Sequence, residues 1–523
     1  MVGAGARSQR GTRVGLPALA VHIDAVRAAA LGAFAFGLLA YVPTLLPGVA
    51  FGDWAEMQTA PALLEVPHPT GYPLFVLVGR LWLFVEPFGS VAWRMNLFAA
   101  VSVAAAAAIA SLVAARLGAR PLLALAGGMT LVVTGTVWDA ATVAEVNSLH
   151  LLLVALLLLL AVRWRDGCRE PTSGRSDRDL LLGGLVGGLA IGNHVLTIAA
   201  LAVLIPAAVW AGRRRLDRRP AILPLAGLLG ILGLGVYLFI PLRVALSGPT
   251  DYPALRTWEG IWNHITGVAY QHDVEISSPG TLGAIVRDLP GLVGYAIGEA
   301  TLLPLLLAAV GVVALARRDG WAAFVTGALS LVTVWIFVGY RGDLPHYLLV
   351  AWLAVAIWVA LGLEALVAAA ERSRWWRPTL LPLAVAVPLL AGAVELPNHD
   401  LATDTTPTAF VDEVHALLPP NAILFTYWDA GEALHHAQCV EHERPDLDVI
   451  APDDWVSFRP CTGMTADAAI RSGRPLYALA YADRGLESIR GRYVARAVTQ
   501  LAVPFGGLAL DHTATLLRLT PTG

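Results

Sequence analysis

The sequence predicts a polytopic α-helical membrane protein with a small α/β domain at its C-terminal end. Three observations lead there. Of 523 residues, 57% are hydrophobic and only 14% charged, whereas a soluble domain carries about 25% charged residues. Long charge-free apolar runs recur as far as residue 396, and runs of that length cross bilayers. Beyond about residue 397 charge rises and short mixed elements replace the long runs. The mean hydropathy of +0.64 agrees. A net charge of −3 provides no basic surface for nucleic acid.

Hydropathy places about eleven spans, near 27–47, 95–115, 121–138, 145–162, 179–192, 194–212, 220–242, 299–316, 320–339, 346–369 and 378–396. The first is too long for a signal-peptide core and reads as a retained signal anchor behind a cytoplasmic segment, 1–26. The run 74–88 is short, carries Arg80 and Glu86, and is expected to lie at the membrane surface. Charge supports that reading. The clusters Arg7/Arg10/Arg13, Arg116/Arg120, Arg163/Arg165/Arg169, Arg213–Arg215 with Arg218/Arg219, Arg317/Arg318 and Arg372/Arg374/Arg377 fall on one side only if 74–88 does not span. The positive-inside rule makes that side cytoplasmic. The transmembrane domain is then 27–396, with a first outer loop at 48–94 and a large one at 243–298. The region 397–523 is extracytoplasmic.

In that last region Thr408–Leu418 and Ala430–Glu441 read as helices, and Ala422–Thr426, Leu447–Ile450, Leu476–Ala480 and Ala514–Leu519 as strands. No glycine-rich phosphate loop opens a helix there, so nucleotide binding is not expected. Cys439 and Cys461 lie 22 residues apart and could pair or stay as thiols. With no CxxC pair, a structural zinc site is not expected.

Polar chemistry gathers on the outside. Asp53 and Glu56 stand three apart, so a helical turn puts both carboxylates on one face. His68, Tyr72 and Arg94 share their loop; Asn193 and His194 form the third outer turn; Arg243 ends the seventh span. The large loop brings Trp258, Asn263, His264, Tyr270, His272 and Asp273, and Tyr340, Arg341, Asp343, His346 and Tyr347 lie between the ninth and tenth spans. A transporter would need ionisable residues at mid-span and duplicated halves, and the sequence has neither.

The outer layout suits transfer of a sugar from a lipid phosphate. Such a reaction needs a carboxylate to take the acceptor proton and cations near the departing phosphate. The strings Tyr41-Val-Pro-Thr-Leu-Leu-Pro-Gly48, Gly52-Asp-Trp-Ala-Glu56 and His68-Pro-Thr-Gly-Tyr-Pro-Leu-Phe75 resemble the protein O-mannosyltransferase-like membrane proteins of the GT-C superfamily. Arg94-Met-Asn96, Ala144-Glu-Val146, Gly192-Asn-His194, Pro241-Leu-Arg243, Tyr340…Asp343…Tyr347 and Glu443-Arg-Pro-Asp446 extend the resemblance along the chain; Ser148 departs from it.

The resemblance implies a GT-C-like fold and an inverting membrane glycosyltransferase. It would move mannose or a similar hexose from a polyprenyl-phosphate donor to a hydroxyl of a protein, lipid or glycan acceptor, with Asp53 as general base and Glu56 its companion. Substrate-binding residues are expected at His68, Tyr72, Arg94, Asn193, His194, Arg243, Tyr340, Arg341, Asp343, His346 and Tyr347. No cofactor is required by that chemistry. A divalent metal on Asp53, Glu56 and His68 is the minor alternative. A catalytically silent lipid-binding or assembly subunit would keep the fold, but intact Asp53 and Glu56 weigh against it.

Overall fold

The computed structural model describes residues 16–169, 175–246, 253–273, 280–339, 345–371, 377–450, 466–481, 486 and 491–522. Helices come first: α1 Leu16–Tyr41, α2 Gly52–Leu63, α3 Pro73–Val85, α4 Val91–Arg116, α5 Pro121–Val132, α6 Gly135–Thr142, α7 Val146–Arg169, α8 Arg175–Ile191, α9 Thr197–Arg218, α10 Ile222–Leu234 and α11 Phe239–Ala245. They continue with α12 Trp258–Ile265, α13 Gly280–Ala300, α14 Leu302–Arg318, α15 Gly320–Gly339, α16 Leu349–Ala370 and α17 Arg377–His399. The C-terminal region adds α18 Thr406–Leu417, α19 Trp428–Cys439 and α20 Ala466–Arg471, with strands β1 Ile423–Phe425, β2 Asp448–Ile450, β3 Leu476–Ala480, β4 Tyr493–Val503 and β5 His512–Pro521.

Among the described residues, seven helices are long and apolar enough to cross a membrane, or up to nine if each bent pair counts as one span. A helix coincides with each expected span, but one span and one loop differ from the expectation. The run 121–138 is a pair, α5 and α6, bent by 69°. The side chains of Thr130 and Thr134 bond back to the carbonyls of Ala126 and Thr130 just before the break, a habit that competes with helix continuation. The loop 243–298 is not open chain: it holds α12 and most of α13, which meets α14 at 109°. Arg287, Asp288 and Pro290 interrupt the apolar run of α13 and mask it in hydropathy. The short α3 spans 13 residues, about 20 Å at 1.5 Å per residue, well short of a bilayer core of about 30 Å.

The bundle packs through small residues. Gly37 on α1 meets Ala104 on α4, and a Cβ there would sit 2.9 Å from that methyl. Gly184 and Gly188 on α8 lie against the α10 backbone at Ala226 and Gly230, the close approach that small residues permit in apolar surroundings. Among the described residues, arginines of the second and third clusters pair with acidic residues from other segments of the bundle. Arg120 pairs with Glu364 and Glu371, Arg116 with Asp166, Arg165 with Asp319, and Arg163 with Asp179.

The C-terminal strands form one sheet in the order β2-β1-β3-β5-β4, parallel through β2, β1 and β3 and antiparallel beyond. The core of this region includes Val49, Phe51 and Ala55 from the first loop. Phe51 meets Phe410 of α18 edge-on at 5.4 Å. The sheet region is thereby docked on the loop that carries Asp53. Cys439 is disulfide-bonded and Cys168 is free; Cys461 lies outside the described residues.

Candidate active site

The site begins at a glycine. Gly52 opens α2 at φ +51, a left-handed conformation, and a Cβ there would press on Asp429 at 3.2 Å. Asp53 follows in the first turn, where the helix N-terminus favours a carboxylate. It is exposed, and its Oδ1 accepts a hydrogen bond from Trp428 Nε1 at 2.7 Å. One turn on, Glu56 is buried. Its Oε1 accepts the His68 backbone N–H at 2.8 Å, and its Oε2 pairs with His68 Nδ1. His68 Nε2 lies 3.0 Å from the Tyr72 hydroxyl, which donates to the Pro69 carbonyl at 3.1 Å. The network is satisfied when both His68 nitrogens carry protons.

The His-Pro turn is held from two sides. His264 Nε2 on α12 sits 2.9 Å from the Pro67 carbonyl, and the Leu74 N–H donates to the Gly192 carbonyl at 3.0 Å. Rings then line one cluster. His68 faces Tyr72 at 5.0 Å, Trp428 at 6.3 Å and Tyr270 at 6.4 Å. Tyr72 faces His194 at 5.8 Å, and His194 faces Tyr347 at 6.0 Å. His346 lies where its charge acts on Glu145.

Charge follows environment. Burial lowers the proton affinity of His68, but the Glu56 and Asp53 charges outweigh it and raise its pKa to about 9. Burial raises the Glu56 carboxyl, and the His68 charge offsets part of that. Burial also raises Glu145, with His346 opposing it. His194 is held well below its usual value by burial, and His264 falls to about 4 for the same reason. At neutral pH the site therefore holds a cationic His68 beside neutral His194 and His264.

Of the expected residues, Asp53, Glu56, His68, Tyr72, His194, His346 and Tyr347 come together. Tyr340, Arg341 and Asp343, and the side chains of His272 and Asp273, lie outside the described residues. Asn193 donates to the Val146 carbonyl at 3.1 Å. Arg94 donates to the Leu83 carbonyl. The possible metal set does not converge, because Glu56 and His68 are spent on each other. Among the described residues no group of three or more His, Cys, Asp or Glu side chains is arranged to hold a metal ion.

Arg243, expected at the donor phosphate, is half-buried, with Nε on the Leu64 carbonyl at 2.7 Å and a terminal nitrogen on the Leu63 carbonyl at 3.2 Å. Arg80 takes the Ala62 carbonyl at 2.6 Å. Two cations thus cap the C-terminal end of α2, as the helix dipole favours. Arg243→Ala is expected to cost about 1–3 kcal/mol of stability, with turnover per folded molecule retained. A normal melting temperature with lost turnover would instead return Arg243 to the phosphate.

Sequence reasoning missed Trp428, which lies 375 residues from Asp53, and the way α19 packs on α2. There His435 Nε2 sits 3.2 Å from Glu65 Oε1, and Thr59 Oγ1 lies 3.0 Å from His436 Nδ1. No local pattern announces these partners. Glu145 had a signal only as part of Ala144-Glu-Val146.

Comparison with known proteins agrees with the geometry. Residues 53–217 match the family model described as the protein O-mannosyl-transferase TMEM260 N-terminal domain. The protein O-mannosyl-transferase TMEM260 of Mus musculus is 28% identical over 444 residues, 78% of this chain. This chain spans only 60% of that relative's length. The crystal structure of ArnT from Cupriavidus metallidurans bound to undecaprenyl phosphate superposes with a TM-score of 0.59 at 15% identity, covering 96% of this chain and 98% of ArnT. Its apo state gives 0.57 at 14% identity over the same shares. At such identity these two structures establish the fold. The resemblance expected from the first loop is thus supported: residues 53–217 are similar to a protein O-mannosyl-transferase domain, and the fold is the one seen in ArnT.

Proposed function

We propose that this chain is an inverting membrane glycosyltransferase. It moves a hexose such as mannose from a polyprenyl-phosphate donor to an acceptor hydroxyl at the outer face. The observation that carries this reading is an exposed carboxylate, Asp53, in the first turn of α2, beside the buried Glu56–His68 pair. Asp53 takes the acceptor proton as the acceptor oxygen attacks the anomeric carbon. The bond from that carbon to the phosphate oxygen breaks, and its electron pair leaves on the lipid phosphate. The His68 imidazolium offsets the two carboxylates, so an anionic donor can approach. Similarity to the mouse O-mannosyl-transferase and to an ArnT bound to undecaprenyl phosphate supports the donor class.

The test is direct. Full-length protein is titrated with undecaprenyl phosphate and assayed with polyprenyl-phosphate mannose. Binding and sugar transfer are expected; a protein that binds no polyprenyl phosphate and transfers nothing is not this enzyme. In the same reading α2, α12 and the C-terminal sheet are extracytoplasmic. A phosphatase fused at Gly523 should be active only outside the cytoplasm, and a cytoplasm-dependent reporter active at that position would reverse the orientation.

A further inference from the structure

The C-terminal sheet ends in a strand with an open side. β4 is the edge of the sheet and pairs with β5 on its inner side; among the described residues no strand covers the other. A free edge presents backbone N–H and C=O groups, which pair with an extended polypeptide whatever its side chains. Natural edges are guarded by charged side chains, proline, brevity or a bulge. Over 11 residues β4 contains neither Lys nor Pro, and its only charge is Arg496. Val494 and Val498 are 63% and 50% exposed. A register shift between Ala497 and Thr499 interrupts the ladder, leaving Thr499–Val503 regular toward the end that matters.

That end lies at the candidate active site. Directly after Val503, the Pro504 carbonyl accepts from the Tyr427 hydroxyl at 2.8 Å, and the Gly506 N–H donates to Asp429 Oδ1 at 3.1 Å. Between Tyr427 and Asp429 stands Trp428, the residue bonded to Asp53. The parallel strands β1 and β3 also point their carboxyl ends here. Strand order reverses between them, the place where open α/β sheets take ligands. Tyr481, Phe505 and His512 surround the junction with ring centroids 5.2–5.3 Å apart.

We propose that the acceptor is an extended polypeptide that adds as a strand to the open edge of β4 and is led along it to Asp53. This rests on the glycosyl-transfer reading above; a protein acceptor is already the class named for the mouse relative, and what is added is the edge on which it docks. A serine or threonine oxygen at the end of the docked segment bonds to the anomeric carbon while the sugar–phosphate bond breaks. Its proton passes to Asp53, and the lipid phosphate leaves with the electron pair.

The test uses full-length protein and a Thr-containing peptide of about 10 residues, an ordinary strand length. A second peptide of the same sequence carries N-methyl groups on alternate residues, which removes the backbone donors along one side. Binding of the first peptide should slow amide exchange across residues 494–503, and the methylated peptide should bind at least about 10-fold more weakly. Val498→Lys/Ala502→Lys, at two exposed positions, should weaken peptide binding by a similar factor while undecaprenyl phosphate binds as before. Equal binding of the two peptides, unchanged exchange in β4, indifference to the lysines, or no binding of either peptide overturns the proposal. Loss of undecaprenyl phosphate binding with peptide docking intact would instead overturn the glycosyl-transfer reading alone.

Discussion

Asp53→Asn is expected to lower sugar transfer by about 100-fold or more while leaving the protein folded. The asparagine oxygen can still accept the Trp428 indole N–H, which now reaches Asp53 at 2.7 Å, so side-chain placement is kept. What is lost is the ability to take a proton from the acceptor hydroxyl. The carboxylate's favourable place in the first turn of α2 is lost as well, at about 0.3–1 kcal/mol, too little to unfold the protein. Melting in detergent should therefore shift slightly, donor binding should persist, and turnover should collapse. Near-normal transfer by purified Asp53→Asn protein would remove Asp53 from the chemistry and turn attention to Glu145.

The largest stability effect is expected at Glu56. In the wild type its carboxylate holds the His68 imidazolium, and the two side chains are only 6% and 11% exposed. Removing one partner of a buried pair costs about 3–5 kcal/mol when the other keeps its charge. Glu56→Ala also strands the His68 backbone N–H, whose acceptor is Glu56 Oε1. The pH dependence carries a sign that checks the cause. The folded pKa of His68, about 9, lies above its usual 6.5. Its stabilisation is thus fully present below about 6.5 and lost as pH rises through about 9. Burial also raises the Glu56 carboxyl, so its contribution falls with rising pH as well, starting from an unfolded value of 4.5. Glu56→Gln keeps a backbone acceptor but not the charge. Its stability should no longer decline between about pH 6.5 and 9. A parallel decline in wild type and Glu56→Gln would place the titrating group elsewhere.

The aligned helices and the outer loop motif were legible because their causes are local. Lipid leaves backbone groups only intrahelical partners, so spanning segments must be long and apolar wherever they pack. Asp53, Glu56, His68 and Tyr72 lie within 20 residues, and their spacing already implies a helix turn followed by a proline-bounded turn. Short parallel strands such as β1 and β2 were visible as buried apolar runs between turn residues. β4 was not visible, because most of its side chains are exposed on both faces and no alternation marks the strand.

What stayed hidden depends on contacts between distant segments. Hydropathy puts an arginine at the outer end of the seventh span, but only packing decides that its guanidinium meets the carbonyls of Leu63 and Leu64, 180 and 179 residues earlier. The bends of 69° and 109° were likewise invisible to apolar content, and the first has the Thr130 and Thr134 back-bonds beside it. The sequence by itself determined a membrane bundle, an acidic first loop and a C-terminal region of short helices and strands, since these are set by period, length and composition. Tertiary structure alone decided that α19 seats Trp428 on Asp53 and that β4 ends beside it. Those placements depend on which buried surfaces of two remote regions fit together, and a one-dimensional pattern carries no record of that fit.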